Sequence, residues 1–133
     1  MSGDFPWKNE PSSTGDLAEL SGLVADWVAE RDWDRYHAPR NLAAALAVEA
    51  GELQELFLWR PDDDLLAGKE DQVAAEAADV AICLLNFCNR MGIDLGQAVR
   101  DKLVVATKKY PADRVRGRRD KYDEYPEWDG SAE

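Results

Sequence analysis

Two pairs of carboxylic residues in the sequence share the same spacing. Glu49 and Glu52 are three residues apart, and Glu76 and Asp79 repeat that spacing after 23 intervening residues. Residues three apart lie on one face of an α-helix, so each pair would present two carboxylates side by side. Glu49 also falls within a stripe of leucines that a helix would turn inward. If the two helices are neighbours, four carboxylates meet at the edge of the core.

Four clustered carboxylates need a counter-charge, because like charges in a partly desolvated site repel one another. A divalent cation would supply it. Oxygen ligands without histidine or thiolate favour Mg²⁺ or Mn²⁺, and Mg²⁺ usually keeps waters and accepts phosphate oxygens. The spacing therefore predicts a Mg²⁺ site, with Mn²⁺ as a substitute, whose ligands are Glu49, Glu52, Glu76 and Asp79.

Two alternative roles are possible for the same carboxylates. Arg40 or Arg90, on neighbouring helices, could instead pair with the glutamates in buried salt bridges. A di-iron carboxylate bundle would need two Glu-x-x-His pairs. The one histidine of the sequence, His37, lies outside any such pair. A di-iron centre is therefore not expected, whereas the salt-bridge alternative stays open.

The distribution of charge narrows the class of protein. The net charge of -11 argues against nucleic acid and acidic membranes as partners. Nine of the sixteen Lys and Arg residues nevertheless lie between Arg100 and Lys121, opposed by three aspartates. An acidic body thus carries a basic C-terminal segment. Such a segment is also typical of a solvated, partly disordered tail.

Hydrophobic residues recur at helical spacing in four segments, and strand patterns are almost absent. The predicted helices cover residues 15–31, 40–59, 70–91 and 95–109. Their ends are marked by residues that start or stop helices. These residues are Ser12, Ser13 or Thr14 before the first helix, Pro61 after the second, Gly92 after the third and Pro111 after the fourth.

Four amphipathic helices with short connections pack most simply as an antiparallel bundle. The fold class is therefore expected to be all-α, and 133 residues suffice for one domain with its own core. The expected organisation is a flexible N-terminus over residues 1–14, a helical bundle over residues 15–111 and a less ordered basic and acidic tail over residues 112–133.

The cysteines and the hydrophobic runs indicate the cellular setting. Cys83 and Cys88 are five apart in a helical pattern, so they point away from each other and are expected to be reduced. No apolar run is long enough to cross a bilayer, and the first residues lack the pattern of a signal peptide. The sequence is therefore expected to be cytoplasmic, without a membrane partner.

The carboxylate pairs and three further segments carry a family resemblance. The pattern of Glu49-x-x-Glu52 followed by Glu76-x-x-Asp79 resembles the metal signature of the all-α nucleoside triphosphate pyrophosphatases, the MazG-like superfamily. The segments "AERDWDRYHAPRN", "EAGELQELFLW" and "KKYP" look like the corresponding segments of dCTP pyrophosphatases. The similarity runs in order over residues 17–125, most of the chain.

The resemblance implies an enzyme that hydrolyses a nucleoside triphosphate between the α and β phosphates. The products are the monophosphate and pyrophosphate, and the purpose would be the removal of unwanted or modified nucleotides. The four acids would hold Mg²⁺, and Glu52 or Glu49 would accept a proton from the attacking water. The residues implied to meet the phosphates are Lys108, Lys109, Tyr110, Lys121 and Tyr122.

The resemblance also implies a pocket for the nucleobase and an assembly of several chains. Trp33, His37 and Trp59 match the pocket positions, where rings stack on a pyrimidine and the histidine bonds its edge. Trp59 could instead simply end a core stripe. The family commonly forms tetramers of two tightly paired bundles, with sites at subunit boundaries, so a homotetramer is expected.

The sequence departs from the dCTP-specific pattern at two positions. Cys83 stands where a tyrosine is usual, one turn after Asp79, and Ala106 stands where an asparagine is usual. Both changes remove polar atoms near the nucleotide, so Cys83 is a substrate-binding candidate of altered character. The predicted activity is that of a dCTP-type pyrophosphatase. A dUTP or broad-range enzyme, and a non-catalytic nucleotide-binding bundle, are the alternatives.

Overall fold

The computed structural model describes residues 17–61 and 68–124. Within these ranges the chain is helical and contains no strand. The α-helices are α1 (Leu17–Glu30), α2 (Pro39–Glu55), α3 (Glu70–Met91), α4 (Leu95–Lys109) and the short α5 (Ala112–Val115). The chain divides into two compact units, the first ending at Asp94 and the second beginning at Leu95. The prediction of an all-α fold is confirmed.

A tight loop connects helix α1 to helix α2. The helix ends at Glu30, and Asp32 adopts a positive φ of 52° that redirects the backbone. A single 3₁₀ turn, Asp34–Tyr36, follows. Pro39 then occupies the first position of α2, where its missing N–H costs no hydrogen bond. The loop between α1 and α2 is therefore short and closely defined.

Helix α2 ends at Glu55, four residues before the predicted end. The backbone tightens into turns there, as Leu58 N–H donates to the carbonyl of Glu55 at 3.3 Å. Trp59 then adopts a positive φ of 60°, which is incompatible with a right-handed helix. Pro61 also disfavours the helical conformation of the residue before it.

Helix α3 is the central helix of the first unit, because it packs against both α1 and α2. Its most buried residues are Leu85 and Cys88, which pack in a core with Val28 of α1 and Leu42 of α2. The helix ends at Gly92, whose φ of 67° closes it in the left-handed conformation. The predicted bounds of this helix, residues 70–91, are confirmed.

The second unit contains α4, α5 and a 3₁₀ turn, Tyr122–Glu124. Pro111 separates α4 from α5, and its extended conformation places it at the N-terminal cap of α5. The predicted bounds of α4, residues 95–109, are also confirmed. Because α4 belongs to this second unit, the four-helix bundle stays a prediction.

Parts of the predicted organisation lie outside the described residues. These parts are the N-terminus over residues 1–14, with its three capping candidates, and the end of the tail from residue 125 onward. The described part of the tail, residues 112–124, includes α5 and the last 3₁₀ turn. In the portion of the chain that the structure describes, no helix has the length and apolar character needed to span a bilayer.

Candidate metal centre

Three carboxylates from two helices form the acidic triad of Glu49, Glu76 and Asp79. One oxygen of each side chain lies within 4.8 Å of the others. Glu49 belongs to α2, whereas Glu76 and Asp79 lie one turn apart on α3. The packing of α2 against α3 therefore brings together three of the four predicted ligands.

Glu52, the fourth predicted ligand, lies beside the triad without belonging to it. Removal from water, followed by the charges of Glu52 and Asp79, raises the pKa of Glu49 above its ordinary value of 4.5. The same causes in the same order raise the pKa of Glu76, with a smaller contribution from Glu55. These effects all favour the protonated acids. Ionisation of the metal-free site is therefore energetically unfavourable.

Among the described residues, no basic side chain forms an ion pair with the triad. In the same part of the chain, Oε2 of Glu49 and Oε2 of Glu76 are buried and have no hydrogen-bond partner. Within the described ranges, neither carboxylate forms an ion pair with Arg40 or Arg90. An unpaired buried carboxylate oxygen is costly, and a hard divalent cation would satisfy both oxygens. The donor set, oxygen throughout, fits Mg²⁺ or Mn²⁺.

Cys83 lies one turn after Asp79 on α3, at the border of the acidic triad. Removal from water, then the charges of Glu49 and Asp79, raises the pKa of its thiol above the ordinary value of 9.0. The thiol therefore stays protonated at neutral pH and adds no further negative charge to the site. Its part in substrate binding stays a prediction.

An aromatic cluster occupies the end of α1 and the loop that follows. The rings of Trp27 and Trp33 meet edge to face, with centroids 5.1 Å apart. The guanidinium of Arg31 lies 4.5 Å from the centroid of the Trp27 ring and 6.0 Å from that of Trp33. Trp33 keeps 41% of its surface exposed, so one part of its ring is held and another is free to stack on a ligand.

His37 joins this aromatic cluster to α3. Its ring lies 6.5 Å from that of Trp33, centroid to centroid. On its other side, Nδ1 lies 3.2 Å from Nδ2 of Asn86. Asn86 was not predicted from the sequence, although a lone amide in the apolar run "CLLNFC" is a signal that could have identified it.

Trp59 lies in the turn after α2 and is 94% exposed in the single chain. It therefore does not end a core stripe, and the left-handed backbone at this position turns the chain away from the helix. No ring contact of Trp59 occurs among the described residues. Its contact with a nucleobase stays a prediction.

The predicted phosphate-binding residues lie in the second unit. Lys108 and Lys109 form the last turn of α4, and the Tyr110 N–H donates to the carbonyl of Ala106 at 2.8 Å. The Lys121 N–H donates to Oε2 of Glu124 at 2.9 Å. The side chain of Tyr122 lies outside the described part of the structure. Phosphate binding by these residues stays a prediction.

Comparison with known proteins gives consistent matches. The family model of the MazG-like family matches residues 44–125. The dCTP pyrophosphatase 1 of Bos taurus is 39% identical over 129 residues, and that of Homo sapiens is 36% identical over 129 residues. Both alignments cover 93% of this chain and 74% of the relative.

A solved structure is also similar in fold. The crystal structure of a pyrophosphatase from Archaeoglobus fulgidus superposes with a TM-score of 0.67 at 35% sequence identity. The superposition covers 71% of this chain and 92% of the archaeal chain. Fold and sequence therefore point to the same group of proteins.

Proposed function

The chain belongs to the MazG-like family, and we propose that it is a Mg²⁺-dependent nucleoside triphosphate pyrophosphatase. The acidic triad is the observation that carries this proposal, because two of its buried oxygens have no hydrogen-bond partner in the described part of the chain. A structural cluster would be expected to recruit arginine or lysine. A cluster kept for a cation leaves its oxygens unpaired until the cation binds.

Glu49, Glu76 and Asp79 would hold the metal ion. Mg²⁺ bound there would neutralise phosphate charge and polarise the phosphorus under attack. Glu52 lies outside the triad, so it is the better candidate for the general base than Glu49. It would orient a water toward the α-phosphorus and accept its proton as the bond to the leaving pyrophosphate breaks.

The substrate is proposed to be a pyrimidine deoxynucleoside triphosphate, with dCTP or a modified relative first. The relatives at 36% and 39% identity are named dCTP pyrophosphatase 1, which supports this choice. Trp33 would offer a ring face to the base, and His37 a hydrogen bond to its edge. Cys83 offers only a weak hydrogen bond, so discrimination among pyrimidines is expected to be modest.

A homotetramer of paired dimers is proposed as the working assembly. Trp59 is almost fully exposed in one chain, and Leu20 and Ile82 are 45% and 41% exposed beside an apolar groove between α1 and α3. Exposed apolar surface of this kind is typical of subunit contacts. Sites at subunit boundaries, which the sequence resemblance implies, would bring a partner chain close to Trp59.

The activity is tested by measuring pyrophosphate release from dCTP, 5-substituted dCTP, dUTP, dTTP and purine nucleotides. We expect release only with Mg²⁺ or Mn²⁺, and none in EDTA, whereas the far-ultraviolet circular dichroism should not change. The Glu76→Gln protein should lose at least about 100-fold in kcat/KM, since a metal ligand supplies several kcal/mol to the transition state.

Glu70→Gln is the matched control, because Glu70 is an exposed glutamate on the same helix outside the triad. This variant should hydrolyse nucleotides at the rate of the parent protein. If the parent binds nucleotides but releases no pyrophosphate from any of them with either ion, the chain is a non-catalytic nucleotide-binding protein.

A further inference from the structure

The contact between His37 and Asn86 has a direction that determines the chemistry of the ring. The amide nitrogen Nδ2 of Asn86 faces Nδ1 of His37 at 3.2 Å. An amide NH₂ group can donate a hydrogen bond but cannot accept one. With the amide in this orientation, Nδ1 is the acceptor and carries no proton. In a neutral imidazole, the proton then sits on Nε2.

The surroundings of His37 hold this arrangement. The ring is half-buried, and the ring of Trp33 lies edge to face with it. The backbone N–H of His37 donates to the carbonyl of Asp34 at 3.1 Å, which anchors the residue at the end of the 3₁₀ turn. Asn86 projects from α3, the helix that also carries Glu76 and Asp79. One rigid helix thus supports both the acidic triad and the orientation of the His37 ring.

We propose that Asn86 is a positioning residue that holds His37 in the Nε2–H tautomer, so that His37 presents a hydrogen-bond donor to the nucleobase. This inference rests on the proposed function for its consequence, but not for the tautomer itself. N3 of cytosine accepts a hydrogen bond, whereas N3 of uracil or thymine carries a proton and cannot. A donor at Nε2 that meets this edge favours cytosine.

Two substitutions change the tautomer in different ways. In Asn86→Ala, nothing bonds Nδ1, and the ring is free to exchange its proton between the two nitrogens. In Asn86→Asp, the carboxylate can only accept, so in the neutral ring it draws the proton to Nδ1 and leaves Nε2 as an acceptor. The aspartate therefore reverses the polarity that His37 offers to the base, with almost no change in side-chain volume.

The tautomer can be read directly, because His37 is the single histidine of the chain. The full-length ¹⁵N-labelled protein, prepared without a histidine tag, is examined by long-range ¹H–¹⁵N correlation at an alkaline pH where the ring is neutral. We expect an unprotonated Nδ1 and a protonated Nε2 in the parent protein. Asn86→Asp should exchange the two assignments, and Asn86→Ala should move both nitrogen shifts toward averaged values.

Asn89→Ala is the matched control. Asn89 lies one turn further along α3, and its side chain also donates a hydrogen bond to another segment, the carbonyl of Ser21 at 2.9 Å. This variant should leave both ring nitrogens of His37 unchanged. A protonated Nδ1 in the parent, or identical ring shifts in the parent and Asn86→Asp, would overturn the proposal.

The consequence for the base is measured as the ratio of kcat/KM for dCTP to that for dUTP. This ratio should fall about threefold to tenfold in Asn86→Asp, the change that one net hydrogen bond gives, and stay constant in Asn89→Ala. A constant ratio in Asn86→Asp would remove the role in specificity. If the parent releases no pyrophosphate, the proposed function fails, and the spectra still decide whether Asn86 sets the tautomer.

Discussion

At the scale of single residues, the main feature is a glutamate in a row of leucines. Glu49 lies on the face of α2 that packs against α3, and one of its oxygens is buried without a partner. A leucine at this position would pack better, and an exposed glutamate would keep its hydration. The residue is costly to the folded, metal-free protein, which is the usual mark of a group retained for function.

The first prediction concerns this cost. Glu49→Gln should lower kcat/KM at least about 100-fold, because it removes a proposed ligand and a negative charge. In EDTA, the same variant should melt at the temperature of the parent or a few degrees above it. Differential scanning fluorimetry in EDTA measures this shift. A marked fall in melting temperature would instead assign Glu49 a structural salt bridge.

The pH dependence of that comparison has a definite sign. The folded metal-free protein raises the pKa of Glu49 and of Glu76 above 4.5. The protonated acids therefore favour the folded state below that value, and this contribution is lost as pH rises through the raised pKa values. In EDTA, the melting temperature of Glu49→Gln should exceed that of the parent by little at about pH 4 and by more at about pH 8.

The second prediction separates stacking from hydrogen bonding in the proposed base pocket. Trp59→Ala should raise KM for every nucleotide by an amount equivalent to about 1–3 kcal/mol, because a ring face stacks on any base. His37→Ala should instead change the ranking of dCTP, dUTP and dTTP, since a directional hydrogen bond distinguishes their edges. Steady-state kinetics on the three nucleotides measures both effects.

The control for these substitutions is Tyr36→Ala, which removes an exposed aromatic ring from the same loop as His37. It should leave KM and the ranking unchanged. Equal effects of His37→Ala on all three nucleotides would remove His37 from base recognition. An unchanged KM in Trp59→Ala would show that Trp59 does not stack on the base.

At the scale of the helices, α3 is the element on which the site depends. It carries Glu76, Asp79, Cys83 and Asn86 along its length and packs against both α1 and α2. A shift of this helix would move all of these side chains together relative to Glu49 and His37. The stability of the first unit should therefore depend on the backbone conformation that ends α3.

The third prediction compares two glycines in that unit. A Cβ added at Gly92 would meet no atom of the described residues within 4 Å, but the φ of 67° is strained for alanine, so Gly92→Ala should cost about 1 kcal/mol. Gly22 lies inside α1, where a Cβ likewise meets none of the described atoms within 4 Å. Gly22→Ala should stabilise the protein by about 0.5–1 kcal/mol, since alanine favours a helix.

Urea denaturation measures both glycine substitutions against the parent protein. Because neither new methyl group meets a neighbour, the difference between them reports backbone conformation rather than packing. Equal effects of the two substitutions would mean that the end of α3 is not held in the left-handed conformation in solution.

At the scale of the whole molecule, charge and exposed apolar surface have opposite effects on the association of chains. The net charge of -11 opposes association of the chains through repulsion, whereas several apolar side chains remain exposed in a single chain. Assembly of the chains would cover these side chains.

The fourth prediction is that the protein is a tetramer in solution, with a mass about four times the chain mass of 14.9 kDa. Multi-angle light scattering measures it. Leu20→Glu places a charge in the apolar groove between α1 and α3 and should reduce the mass to that of a smaller species. Ala18→Glu, on the exposed surface of α1 outside the groove, should not. A monomeric parent would contradict the prediction.

The sequence by itself determined most of the helix bounds and predicted that acids from two helices cluster. The periodic apolar residues, together with Gly92 and Pro111, defined α3 and α4 to the residue, because both signals act within one or two turns of the backbone. The start of α2 was likewise close to prediction, whereas its end was not. The turns at Leu58 and the left-handed Trp59 leave no periodic signature.

Only the tertiary structure decided which side chains meet. The spacing of the acids did not predict that Glu49 joins Glu76 and Asp79 within 4.8 Å while Glu52 lies outside the triad. The sequence also did not predict the contact of His37 with Asn86, 49 residues away. Helical periodicity is a local property of the chain, whereas these contacts depend on the rotation and offset at which α2 packs against α3, and many packed side chains determine these jointly.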